Sequence, residues 1–222
     1  MNAEDRIERA KTLYEESVYG GDVSGLADAE RGLDAVEADA AVARGRILHA
    51  RFLHERAGAG SPAVEDPAEL PLFARARQLY RALGDVRGEA EALFWIGCVH
   101  QVIRRDNETA VPHLQRSSQL AAQAGDTATR SEALRHLGIA AHMAGRLDEA
   151  RERLEESSRL RREDGALPGV AANLVGLAYI AAAQDRRADA LATLDEAHTI
   201  AQVHHAHAIV RQVEQARAAI QV

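Results

Sequence analysis

Three stretches of the chain carry the same pair of residues at the same interval: Ala110 with Leu114, Ala150 with Leu154, and Ala190 with Leu194, each pair 40 residues after the last. A glycine inside an apolar helical pattern precedes each pair by 12 to 14 residues, at Gly97, Gly138 and Gly176. A recurrence of this length marks a unit that cannot bury its apolar face alone and does so against a copy of itself. It predicts a stacked array of helical hairpins.

The unit is clearest from about 127 to 166. Ala133, Leu134, Leu137, Gly138, Ala140 and Ala141 mark one face of a first helix, and Gly145 breaks it. Leu147, Ala150, Leu154, Ser157 and Leu160 follow at helical spacing and define a second helix that Gly165 ends. The same order of events runs over about 86–126 and again over 167–205, where Pro168 suits a helix start. Earlier, residues 37–56 read as a first helix and 68–83 as a second, separated by a Gly/Pro-containing insertion at 57–67. The endings ALGD at 82–85 and QAGD at 123–126 match, which sets the unit end near 85. Residues 1–36 read as a further pair joined at Gly20-Gly21-Asp22, and 206–222 as one capping helix. The expectation is a single domain over 1–222 with hairpins at about 1–36, 37–85, 86–126, 127–166 and 167–205.

The pattern resembles the tetratricopeptide repeat family: Leu134, Leu137-Gly138, Ala150 and Leu154 in one unit, Ile96-Gly97, Ala110 and Leu114 in a second, Val175-Gly176, Tyr179, Ala190 and Leu194 in a third. The period is near 40 rather than 34, the tyrosine position holds His100 and Ala141 in two units, and the closing proline is absent. Each helix is therefore expected to be about one turn longer than usual, as in a long-repeat bacterial type. The resemblance implies an all-α, right-handed superhelical solenoid of antiparallel hairpins whose first helices line a concave groove for a partner protein or peptide. Counting from each glycine, with Ala50 in its place in the blurred unit, gives groove positions Arg51, His54, Phe94, Gln101, Arg135, His142 and Asn173. Such a row suits a carboxylate-bearing partner, with arginine supplying forked hydrogen bonds and amides reading a backbone.

Composition narrows the alternatives. With 27 basic against 34 acidic residues, the net charge of -7 argues against sequence-independent binding of nucleic acid. Arg159, Arg161 and Arg162 read as the last turn of a helix, where cations complement the dipole. Cys98 is the one cysteine, which excludes an internal disulfide and suits a reducing cytoplasm. No apolar run reaches the 18 or so residues of a membrane span, and MNAEDRIERAK lacks an apolar signal region, so a cytoplasmic location is expected.

The 10 histidines lack the i, i+4 pairing of a helical zinc site within the repeats, and the HHAH run at 204–207 reads as a polar patch, so no metal or cofactor is expected. Phosphate-cradling loops, nucleophile elbows and HExxH are absent, and the carboxylates from Asp148 to Glu156 are interleaved with arginine as on a solvated face. No catalytic residue is assigned. Two readings remain: a scaffold or adaptor holding a partner segment in the groove, and a small-molecule sensor or enzyme with a His/Arg-lined pocket there. Homodimerisation through a terminal repeat is a third use of the same fold.

Overall fold

The computed structural model describes residues 2–58 and 63–221. All regular structure among them is helical: α1 (Ala3–Gly20), α2 (Leu26–Ala57), α3 (Glu69–Leu83), α4 (Val86–Cys98), α5 (Asn107–Gln123), α6 (Thr127–Met143), α7 (Leu147–Glu163), α8 (Leu167–Ala183), α9 (Arg187–Val203) and α10 (His207–Gln221), with a π-helical turn over Val99–Ile103 continuing α4. Contacts divide the chain into two compact units, Met1–Ala110 and Val111–Val222. Within each, consecutive helices pack in chain order as in a helical-repeat array. None of the described helices is long and apolar enough to cross a membrane.

The period that builds the array is 20 residues, half the interval visible in the sequence. Left-handed backbone recurs at Gly84, Arg105, Gly125, Gly145, Gly165, Asp185 and His205, once after every helix from α3 to α9. At each of these turns the next amide reaches back to the helix just ended: Asp126 N to Ala121 O, Arg146 N to Ala141 O, Ala166 N to Arg161 O, and Arg186 N to Ala181 O, at 2.8–2.9 Å. These closures satisfy carbonyls that a helix end leaves bare. The five helices from α5 to α9 are each 17 residues long. Four of these seven turns use glycine, which enters left-handed backbone without steric cost.

One interval in this series is longer. The side chains of Asp85, Asp106 and Asp126 accept from Gly88 N, Thr109 N and Thr129 N, so each caps a helix. Asp85 and Asp106 are 21 residues apart, whereas Asp106 and Asp126 are 20 apart. The extra residue is absorbed by the π turn: Asp106 N bonds His100 O, six residues back, where the other turns span five.

In the first unit, α2 is a single 32-residue helix running without a break through position 36/37, where a boundary between two hairpins is expected from the sequence. Its Ala38, Ala41 and Val42 pack against Ala76, Leu79 and Tyr80 of α3 and Ala92 of α4. Gly45 and Gly88 set the close approaches, because a Cβ there would lie 2.5 Å from the Phe73 ring and 2.4 Å from the Tyr80 ring. Helix α1 ends at Gly21, with φ of 75°, and has no buried residue. The insertion read at 57–67 lies partly outside the described residues, at 59–62.

In the second unit, Leu154 of α7 is fully buried with Ala141, Ala150 and Ile180. Gly138 on α6 and Gly176 on α8 both face it, at 3.0 and 2.8 Å from where their Cβ atoms would be. The two glycines of the sequence pattern thus make room for the one leucine between them. Val170, Leu174, Ala178, Leu194, Ala197, Val213 and Ala216 form the core joining α8, α9 and α10.

Candidate functional site

In the second unit a buried polar network ties three consecutive helices together. Asn173 on α8 is fully buried and donates through Nδ2 to the hydroxyls of Ser157 at 2.9 Å and Ser158 at 3.2 Å on α7. Ser157 donates in turn to Ser131 O on α6 at 2.7 Å, and Ser158 to Leu154 O at 2.8 Å. The Asn173 Oδ1 accepts from Arg135 Nη1 at 3.0 Å, and the same Nη1 donates to Ala172 O at 2.9 Å. One edge of the Arg135 guanidinium is therefore fixed by neutral acceptors, and neither of these bonds is to a carboxylate.

Close by, Arg161 is buried on α7, donating through Nη1 to Gly169 O at 2.7 Å, with Nη2 lying 2.6 Å from Glu132 Oε2. Its Nε is buried without a hydrogen-bond partner. Gly169 leaves room for this side chain, since a Cβ would sit 2.5 Å from Arg161 Nη1. Burial, and then the nearby Arg161 charge, push the Arg135 pKa down to about 10, so the group stays protonated at neutral pH. Arg135 and Arg161 together exceed the single Glu132 carboxylate that acts on both. The result is an oriented positive charge with one carboxylate too few nearby.

The first unit gathers its chemistry differently. Trp95 stacks on Phe73 at 5.7 Å, meets Phe94 and His49 edge-on at 5.0 and 5.5 Å, and lies under Arg46. Buried His49 is hydrogen-bonded through Nδ1 to Oε1 of the buried Glu69 at 2.8 Å. Glu69 is the first residue of α3, where the helix dipole favours a negative charge. A cavity of about 570 Å³ is lined by the end of α2, residues 63–65 and the π turn. Arg104 forks onto Glu65 at 2.7, 2.9 and 3.2 Å and fastens the segment before α3 to that turn. The Arg104 guanidinium holds the Glu65 carboxyl below the usual range.

Residues 100–163 match the family model of the tetratricopeptide repeat. That stretch carries the tetratricopeptide-repeat pattern. Repeats of this kind mediate protein–protein interaction, which supports a scaffold or adaptor role. No curated protein matches the chain.

The cap positions of the repeats show where each expected groove residue stands. Phe94 and Arg135 both lie nine residues after their caps, Asp85 and Asp126, and Gln101 and His142 both lie sixteen after. On α8, whose cap is Ala166, the corresponding residues are Val175 and Ala182. Gly176 lies only ten residues after its cap, against twelve for Gly97 and Gly138, so counting from the glycine displaces the third unit by two. Asn173 is therefore seven after the cap, equivalent to the fully buried Ala92 and Ala133. It braces Arg135 from inside the core and does not line a surface. Arg51 and His54 are exposed on α2, His142 is half-buried near the end of α6, and Phe94 and Gln101 are buried, the latter donating to Asn107 Oδ1 at 2.9 Å. Of the seven, the structure brings Arg135 and Asn173 into contact.

Arg161, Glu132, Ser157 and Ser158 were not singled out as site residues by sequence reasoning, nor were the groups around the first unit's cavity. A polar residue at a position held by alanine in sister units is a readable signal once the cap register is used. The 21-residue interval between Asp85 and Asp106 is another. Among the described residues no three or more of His, Cys, Asp and Glu come together as a metal site, and the His205 and His207 rings stand 6.4 Å apart.

Proposed function

We propose that the protein is a tetratricopeptide-repeat adaptor whose second unit holds a partner protein segment across the exposed edges of α6 and α8, with a partner carboxylate paired to Arg135. The observation carrying this reading is the guanidinium of Arg135, braced by Asn173 and Ala172 O, desolvated, and next to a second arginine. A carboxylate arriving there meets donors already oriented and relieves the repulsion between the two cations. His142, sixteen residues after the α6 cap and half-buried, lies further along the same helix and supplies a second polar contact.

The test is photo-crosslinking in host cells with a photoreactive residue at position 142, comparing the native background with Arg135→Glu and Arg135→Lys. The adaptor reading expects one discrete protein adduct that falls about tenfold or more with Arg135→Glu and partly survives with Arg135→Lys. Circular dichroism should show that all three variants keep their helix content. An adduct insensitive to Arg135→Glu removes Arg135 from the interface, and the absence of any adduct removes the adaptor reading.

A further inference from the structure

We propose that the cavity of the first unit is a binding site for a small organic acid with an apolar body and one carboxylate, separate from the partner-binding surface of the second unit. Two departures from the repeat meet at this place. The π turn, forced by the one extra residue between Asp85 and Asp106, swings Val102, Ile103, Arg104 and Arg105 against the end of α2. The segment before α3 closes the other side and is held there by the Arg104–Glu65 fork. The cavity volume, about 570 Å³, falls in the range of small-molecule sites.

The lining sets the chemistry of the occupant. Phe52 is buried, and Val102 and Ile103 are partly buried, which gives an apolar wall. Over it, Arg56 is placed by donating to Val102 O at 3.3 Å and lying across the Phe52 ring. Arg104 and Glu65 neutralise one another. Asp106 acts on Arg104 beside Glu65, and Arg105 makes no ion pair among the described residues. An apolar wall beside this unpaired arginine fits an amphiphilic monoanion.

The backbone of Arg105 points the same way. Its φ is 57°, in the left-handed region, where four of the other turns carry glycine and the remaining two carry Asp185 and His205. Aspartate and histidine enter that region more readily than most residues. Arginine has no such local advantage, and left-handed backbone costs a residue with a Cβ about 1 kcal/mol. Strain of this kind clusters at active sites and ligand clamps.

The probe is decanoate below its micelle concentration, titrated calorimetrically into the full chain, with decanol as the neutral control. The proposal expects saturable one-to-one binding of decanoate and at least tenfold weaker binding of decanol. Arg105→Gly should weaken decanoate about tenfold while leaving the protein at least as stable to heat, which separates loss of the cation from loss of the fold. Arg105→Lys should retain an intermediate affinity. Val102→Trp, checked by circular dichroism, should abolish binding by filling the space. Absence of saturable decanoate binding overturns the proposal. So does equal affinity for decanol, an Arg105→Gly protein that binds decanoate unchanged, or a folded Val102→Trp protein that still binds it.

Discussion

The second unit is regular and the first is not, and that difference decides what each can do. From α6 to α9 every helix has 17 residues and the connecting turns close in the same way, so the chemistry lies along helix faces and in the layers between them, as in the Arg135–Asn173–Ser157 network. In the first unit a 32-residue helix, a longer link and a π turn break the period, and a cavity results. Regular repetition makes extended surfaces. Irregularity makes a recess.

The largest way to break this comparison is to empty the packing centre of the regular unit. Leu154→Ala removes the side chain that both Gly138 and Gly176 face, and is expected to cost about 2–5 kcal/mol in denaturant unfolding, with amides of α7 and α8 losing exchange protection before those of α2 and α3. A loss below about 1 kcal/mol would mean that α6 and α8 close over the gap, and that the regular unit is the more plastic one. The converse change in the first unit is Gly45→Ala. The new Cβ would lie 2.5 Å from Cε1 of the fully buried Phe73, and overpacking should cost about 1–3 kcal/mol. A neutral result would show that the Trp95–Phe73 stack can shift.

Smaller effects sharpen the comparison at the turns. Asp185→Gly removes a Cβ from left-handed backbone in the regular unit and should stabilise by up to about 1 kcal/mol, read as a raised thermal midpoint. Gly145→Ala, at φ of 74°, should destabilise by a similar amount. If the two changes do not have opposite signs, the turns are not the equivalent positions that the 20-residue period makes them.

The smallest expected effect is acid sensitivity, and it should reach both units. Hydrogen bonds from Arg104 and Arg159 depress the carboxyls of Glu65 and Glu156 below their ordinary value. Their contribution is therefore fully present above the ordinary carboxylate range near pH 4 and is lost as pH falls through the lower folded values. Both pairs are partly exposed, which keeps their worth small. Because Glu65 ties the segment before α3 to the π turn, amide exchange at 63–68 should rise at low pH before the helices melt. Glu65→Gln should remove that pH dependence; a pH response that survives it assigns the closure to another group.

The helical units were legible because alanine, leucine and glycine recur at an interval no single helix or strand produces. The junction at Gly20-Gly21-Asp22 was legible for a local reason, since the backbone at Gly21 is left-handed. The run of α2 through position 36 was not: Ala35, Ala38, Ala40 and Ala41 suit a helix, and nothing there stops one. Counting from glycine aligns Asn173 with Phe94 and Arg135, whereas counting from the caps aligns it with the buried Ala92 and Ala133. Gly138 and Gly176 are close-approach positions dictated by Leu154, and they do not mark equivalent points on their helices.

The sequence by itself determined that the chain is an all-helical array, because a 40-residue recurrence of small and apolar residues can bury its faces only against its own copies. It also determined much of where helices stop, because glycine after a helix enters left-handed backbone at no steric cost. Tertiary structure alone decided that Asn173 turns inward to brace Arg135, that one surplus residue becomes a π turn, and that Arg104 and Glu65 meet across 39 positions to bound a cavity. Each of these depends on contacts between segments distant in the chain, and periodicity along a single strand of sequence carries no term for them.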